Sequence, residues 1–308
     1  MTALVVSGCS STPQQVAPAP GTPALNANFA DPDVVEVDGT YFAYATNDNN
    51  RNVQVASSND LFEWEVLPDA LPDLPNWVIP GKTWAPEVTK LDDGTFVMYF
   101  TATNFAPTLQ CIGVATAIDP AGPFTVQGDA MLICPEDEGG AIDASTVVID
   151  DVLHLVWKND GNCCGLDTWI QAAPLSPDGL NVAGDPVRML KQTQAWEGAL
   201  IEAPTIVTRG SRLVMLYSAN FYGDDRYAVG AATADSMVGP WTKELDPILS
   251  TEGSAGIYRG PGGQDLVLGL DGTDYIVFHG WDNAYTYRAL HVAEVEWDTD
   301  IPRVIIPE

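Results

Sequence analysis

The sequence predicts an all-β fold, a five-bladed β-propeller with four antiparallel strands per blade. Three observations carry this: a strand motif recurs five times, each copy is followed by a second hairpin, and no stretch has helical periodicity. The copies begin at Asp31-Pro32-Asp33-Val34, Ala85-Pro86-Glu87-Val88, Asp143-Ala144-Ser145-Thr146, Ala203-Pro204-Thr205-Ile206 and Gly263-Gln264-Asp265-Leu266. Each runs through an apolar strand to a Gly or Asp turn and then into a second, aromatic-rich strand such as Tyr41-Phe42-Ala43-Tyr44 or Phe96-Val97-Met98-Tyr99. The second hairpin of each unit starts near Val53, Ile112, Trp169, Ala228 and Leu290. Spacings between starts are 54, 58, 60 and 60 residues. A β-sandwich is the competing arrangement, but it gives no reason for a steady period.

Composition narrows the function. With 42 acidic against 13 basic residues and a formal net charge of −29, the chain lacks the clustered Lys and Arg that a nucleic-acid partner requires. Such acidity describes a well-solvated surface and suits a saline or extracellular setting. Residues 1–27 read as a lipoprotein-like signal remnant followed by a disordered tether. Val6-Ser7-Gly8-Cys9 resembles a lipidation site, with Cys9 as the lipid anchor, although no basic residue precedes the short apolar stretch. Residues 10–24 are rich in Ser, Pro, Ala and Gln and cannot bury a core. Residues 28–308 then form a single propeller domain. The expected location is secreted or cell-surface.

Apart from Cys9, four cysteines remain, an even number that fits an oxidising compartment. Cys111 and Cys134 flank the end of one repeat and its exit loop and are expected to pair. Cys163 and Cys164 are adjacent, and form either a vicinal disulfide or two free thiols; a metal site there lacks His at ligand spacing.

In a propeller the first strand of every blade lines one central channel, so the five repeat starts converge. Three of them carry an acid: Asp31, Asp143 and Glu202. Hydrolysis of a glycosidic bond with inversion needs one carboxylate to activate water and one carboxylic acid to protonate the leaving oxygen, about 6.5–9.5 Å apart. A third carboxyl nearby raises the acid's pKa by like-charge repulsion. The competing reading is that acids beside Pro are ordinary turn residues in a chain this acidic.

Ala30-Asp31-Pro32-Asp33, Trp84-Ala85-Pro86-Glu87, Ile142-Asp143-Ala144-Ser145 and Glu202-Ala203-Pro204, with Phe278-His279-Gly280-Trp281 in the fifth unit, together resemble glycoside hydrolase family 43, the arabinanase and xylosidase propellers. The likeness spans roughly residues 28–298. It implies that Asp31 is the general base, that Asp143 orients the acid and tunes its pKa, and that Glu202 is the general acid. It further implies that Arg288 reaches the sugar nearest the cut. His279 is expected to point into the channel, where related enzymes hold a calcium ion; a hydrogen-bonded core histidine is the alternative. No cofactor is required for the chemistry. Trp84 is placed to stack on a sugar ring, or else to pack in the core. Asp33 lies on the same strand face as Asp31 and competes with it, Glu87 reads as structural or as a substrate contact, Glu197 as a rim residue, and Asp265 departs from the family form. The implied partner is an arabinose- or xylose-containing polysaccharide or oligosaccharide. An arabinofuranosidase or endo-arabinanase leads, a β-xylosidase follows, and a propeller that binds sugar without cutting it is the alternative of a different class.

Overall fold

The computed structural model describes residue 19 and residues 21–306, and these form five antiparallel sheets of four consecutive strands each. Blade one is β1 (Asp33–Val37), β2 (Thr40–Ala45), β3 (Gln54–Ser58) and β4 (Glu65–Val66). Blade two is β5 (Val78–Lys90), β6 (Phe96–Asn104), β7 (Gln110–Ala117) and β8 (Thr125–Val126). Blade three is β9 (Ala141–Ile149), β10 (Val152–Asn159), β11 (Trp169–Pro174) and β12 (Val187–Lys191). Blade four is β13 (Ile201–Arg209), β14 (Arg212–Ala219), β15 (Ala228–Ala234) and β16 (Thr242–Lys243). Blade five is β17 (Gly262–Leu268), β18 (Asp274–Trp281), β19 (Arg288–Asp298) and β20 (Ile301–Val304). The chain is thus the five-bladed propeller that its repeats predict.

The apolar alternation of the strands explains the packing. Five hydrophobic clusters fill the five seams between blades: Tyr44, Val55, Met98 and Phe100 join blades one and two, and Phe29, Tyr41, Val277 and Leu290 join blades five and one. A sheet with both faces buried cannot stand alone, so each blade is held by its neighbours. Among the described residues no strand is shared between the first and last blades. Instead the backbone N–H groups of Ala24 and Leu25 bond to the carbonyl of Leu290. The chain is therefore tied to the propeller ahead of the boundary expected at residue 28, because residues 24–25 supply an edge that blade five would otherwise leave unpaired. Cys9 and the proposed lipid attachment lie outside the described residues.

The repeat starts share one backbone feature. Asp31, Ala85, Asp143, Ala203 and Gly263 all take positive φ, at 55°, 40°, 58°, 48° and 55°. Four are not glycine, and each such residue costs about 1–3 kcal/mol that surrounding contacts must offset. The strand ladder shifts register around four of them, between Trp84 and Glu87, Ile142 and Ser145, Glu202 and Thr205, and Gly262 and Asp265. A bulge of this kind bends the strand and re-aims its side chain.

It also leaves the residue's own N–H without a ladder partner. In four blades a polar side chain at the end of the preceding blade's second strand takes that N–H. Thr46 caps Ala85, Thr101 caps Asp143, Ser218 caps Gly263 and His279 Nδ1 caps Asp31, at 2.9–3.2 Å. The equivalent position in blade three is Lys158, which cannot accept a hydrogen bond. There the N–H of Ala203 goes to Asp143 Oδ2 at 3.0 Å instead.

Two residues deeper, a second ring latches blade to blade. Asp265 takes the N–H of Val34, Asp33 that of Val88, and Glu87 both the N–H and hydroxyl of Thr146, at 2.6–2.9 Å. Burial first, and then neighbouring carboxyls, raise Asp33 and Asp265 well above the carboxylate range, and Glu87 rises to about 7, burial again leading. Asp33 is accordingly a buried blade latch whose charged form is disfavoured, bound into the next blade through the Val88 N–H. Glu87 is a latch of the same ring.

Candidate active site

Asp31, Asp143 and Ala203 face one channel together with their counterparts in blades two and five. Glu202 stands one residue ahead of the left-handed Ala203, and Trp84 holds the corresponding place ahead of Ala85. Trp84 is half-buried, with Lys82 Nζ 5.9 Å from its ring centre.

Asp31 is gripped from three sides. Arg288 Nη1 donates to Oδ1 at 3.2 Å, Thr46 Oγ1 donates to Oδ2 at 2.7 Å, and its own N–H is held by His279. Burial works to raise its pKa, but Arg288 foremost, then His279 and Thr46, outweigh burial and hold the carboxyl well below the usual range. Asp31 is an anion at any working pH.

Asp143 is the opposite case. Burial, and next the charge of Glu202, push its pKa up to about 8 against the attraction of Lys158. It therefore keeps a proton beside Glu202 through neutral pH. Glu202 accepts from the Tyr227 hydroxyl at 2.9 Å through Oε1 and from Lys158 Nζ at 3.1 Å through Oε2. Lys158 is 1% exposed and also bonds Asp160 at 3.3 Å. Burial disfavours its charge, yet Glu202 and Asp160 outweigh burial, so Lys158 stays a cation. Tyr227 stacks on His279 with ring centres 5.7 Å apart, which ties the surroundings of Asp31 to those of Glu202.

Sequence reading missed Lys158 and Tyr227. Lys158 had a usable signal: it closes an apolar strand in register with Thr46, Thr101, Ser218 and His279, and a lysine at that buried position requires acidic partners. Tyr227 carries no such pattern.

Glu197, expected at the rim, is buried. It accepts the N–H groups of Thr193 and Gln194 at 2.6 and 2.7 Å and the Tyr217 hydroxyl at 2.8 Å, and pairs with Lys243. Its role is to fold the loop that delivers Glu202. Burial alone would raise its pKa, but the Gln194 N–H and then Lys243 lead a set of bonds that lower it. Its contribution is thus present above the ordinary Glu range and lost as pH falls. Glu197→Ala strands the Lys243 charge and is expected to cost about 3–5 kcal/mol in urea unfolding, with less stability left to lose in acid.

His279 is fully buried. Its Nδ1 holds the Asp31 N–H, and its Nε2 lies 3.5 Å from Arg288 Nη1. A cation on this ring would displace the Asp31 bond or meet the guanidinium, so the residues present do not fit calcium at His279. Burial, then the Arg288 charge, lower its pKa and keep the ring neutral. Among the described residues no three His, Cys, Asp or Glu side chains group as metal ligands.

Cys111 and Cys134 are disulfide-bonded and fasten β7 to the segment that leads into β9 and Asp143. Cys163 and Cys164 are bonded to each other in a 3-10 turn directly after Asp160.

The sequence matches the model of Glycosyl hydrolases family 43 over residues 20–301. The chain belongs to glycosyl hydrolase family 43. Among curated family relatives, an extracellular exo-α-(1→5)-L-arabinofuranosidase of Streptomyces avermitilis is 27% identical over 215 residues, 66% of this chain and 43% of that protein. A β-D-galactofuranosidase of Aspergillus niger is 26% identical over 84% of this chain and 76% of its own. The chain therefore spans less than half of the first relative and about three quarters of the second. A solved thermostable family-43 glycoside hydrolase superposes with a TM-score of 0.80 at 28% identity, covering 91% of this chain and 93% of that one.

Proposed function

We propose that this family-43 chain hydrolyses α-L-arabinofuranosyl linkages of arabinan or its oligosaccharides by inversion, outside the cell. Asp31 acts as general base and Glu202 as general acid. The observation that carries the reading is the opposed state of two carboxyls in one funnel: Asp31 is held ionised by Arg288, while Asp143 holds a proton beside Glu202. Inverting hydrolysis requires an ionised base and a protonated acid, and the Asp143–Glu202 pair serves the second need by keeping one proton between its two carboxyls.

In the proposed reaction, Asp31 takes a proton from water as its oxygen attacks the anomeric carbon. Glu202 gives a proton to the departing glycosidic oxygen, and that proton is the one the Asp143–Glu202 pair keeps, passed from Asp143 to Glu202 as the bond breaks. Asp143 and Lys158 set the charge around Glu202, and Tyr227 fixes the orientation of its carboxyl. His279 positions Asp31 through its N–H, in place of the metal role expected for it. Arg288 holds Asp31 and meets the sugar nearest the cut, and Trp84, one residue ahead of the blade-two start Ala85, is the ring for stacking. The arabinan assignment draws on the Streptomyces relative's name. Aryl α-L-arabinofuranoside, β-D-xyloside and β-D-galactofuranoside are assayed side by side with linear arabinan. Preference for the arabinosyl substrates supports the proposal; turnover of the xyloside or galactofuranoside alone would replace it, and turnover of none would indicate a binding propeller.

Two pH results are expected. kcat/KM falls as pH rises above about 8, where Asp143 gives up its proton. Lys158→Met removes the cation that favours ionised carboxyls, so this limb moves up by about one pH unit. Lys158→Arg keeps the charge and leaves the limb near its original place. A pH profile unmoved in Lys158→Met would reduce Lys158 to a packing role.

A further inference from the structure

Beside the funnel lies a second cavity of about 290 Å³, formed by blade five and the segment at residues 21–26. Its walls include Asn26, Arg259, Trp281, Asn283, Tyr287 and His291. None of these is used by the reaction proposed above.

Four features mark it as a built site. Arg259 has no carboxylate partner among the described residues, and its guanidinium lies 5.8 Å from the Tyr285 ring. His291 is 5% exposed, and its Nδ1 is buried without a hydrogen-bond partner, a rarity that calls for a ligand or a water. Trp281 is fixed, its indole N–H donating to the Tyr222 carbonyl at 2.8 Å and its backbone N–H to that of Arg259 at 2.8 Å. The loop carrying Asn283 is rigid because Asp282 accepts the N–H groups of Ala284, Thr286 and Tyr287 at 2.5–3.1 Å.

The lining also names the ligand. One cation, Arg259, is balanced by one carboxylate, Asp282, so the cavity has no net charge with which to select an ion. The Tyr287 hydroxyl and Asn26 Oδ1 are bonded to each other at 2.7 Å, which leaves the Asn283 amide, the Arg259 guanidinium and the His291 imidazole to offer hydrogen bonds, while the indole of Trp281 supplies an apolar wall. Such a mixture suits a hydroxyl-rich ring with an apolar face. Continuity with the funnel is direct: the Trp281 ring lies 5.9 Å from the guanidinium carbon of Arg288, whose Nη1 bonds Asp31 at 3.2 Å.

We propose that this cavity is a second saccharide-binding position, which holds a neutral sugar residue of the same chain whose bond is cut in the funnel. The proposal rests on the glycosidase reading for the identity of the chain, but its binding needs no turnover. The enzyme would then favour oligosaccharides over disaccharides, because a short ligand cannot fill both positions.

The test is calorimetric titration of the Glu202→Gln enzyme with α-1,5-linked arabinobiose and arabinotetraose. The tetrasaccharide is expected to bind at least tenfold more tightly than the disaccharide. Arg259→Met, and independently Asn283→Ala, each checked for an unchanged melting temperature, are expected to erase most of that ratio. A ratio near one in the parent enzyme, or a ratio that survives both substitutions, overturns the proposal. A length effect seen with xylo-oligosaccharides instead would keep the cavity assignment and reject arabinan as the substrate. Absence of binding by either series rejects the cavity as a saccharide site.

Discussion

Glu202→Gln is expected to lower kcat on linear arabino-oligosaccharides by about a thousandfold, and to lower it far less on an aryl arabinofuranoside with an activated leaving group. The reason is chemical. A sugar alkoxide leaves only if it is protonated as the bond breaks, whereas a nitrophenolate leaves unaided. Glutamine keeps the shape of Glu202, and its amide can still meet Tyr227 or Lys158, which hold the carboxyl at 2.9 and 3.1 Å. The fold should therefore be preserved while the acid is lost. Equal losses on both substrates, measured under saturating conditions, would count against Glu202 as the acid.

Asp31→Asn is expected to cost about 10⁴-fold on both substrates alike, because water must be activated whatever the leaving group. The substitution is mild for the backbone, since Asn tolerates the left-handed conformation that Asp31 adopts at φ 55°. It is severe for the chemistry, since it removes the anion that Arg288 and Thr46 are arranged to hold. A variant that loses activity only on the unactivated substrate would show that Asp31 handles the leaving group.

Much of this was legible before any coordinates. Spacing and local pattern identify Asp31, Ala85, Asp143, Ala203 and Gly263 as repeat starts, and the same five residues take the left-handed backbone conformation around the channel. The seams were legible too, because strands that are apolar on both faces demand neighbours on both sides.

What stayed hidden depends on contacts between blades. The latch role of Asp33 and Glu87 arises because each reaches an N–H in the next blade, more than fifty residues away. Glu197 looked like a rim residue because nothing adjacent in sequence marks Lys243 and Tyr217 as its partners. His279 suggested a metal because a lone imidazole in a channel is a natural ligand, and only the fold reveals that its nitrogens face Asp31 and Arg288. Lys158 was discoverable by aligning the ends of the second strands, where it alone cannot accept a hydrogen bond. Its presence explains why Asp143 serves Ala203 in addition to neighbouring Glu202.

The central claim is that one funnel holds an ionised base and a proton donor on opposite sides of a single glycosidic bond. Following freshly cleaved α-arabinofuranosyl substrate by proton NMR tests it most directly. The β-anomer of the released sugar should accumulate first and only later mutarotate toward equilibrium; first appearance of the α-anomer would contradict the account.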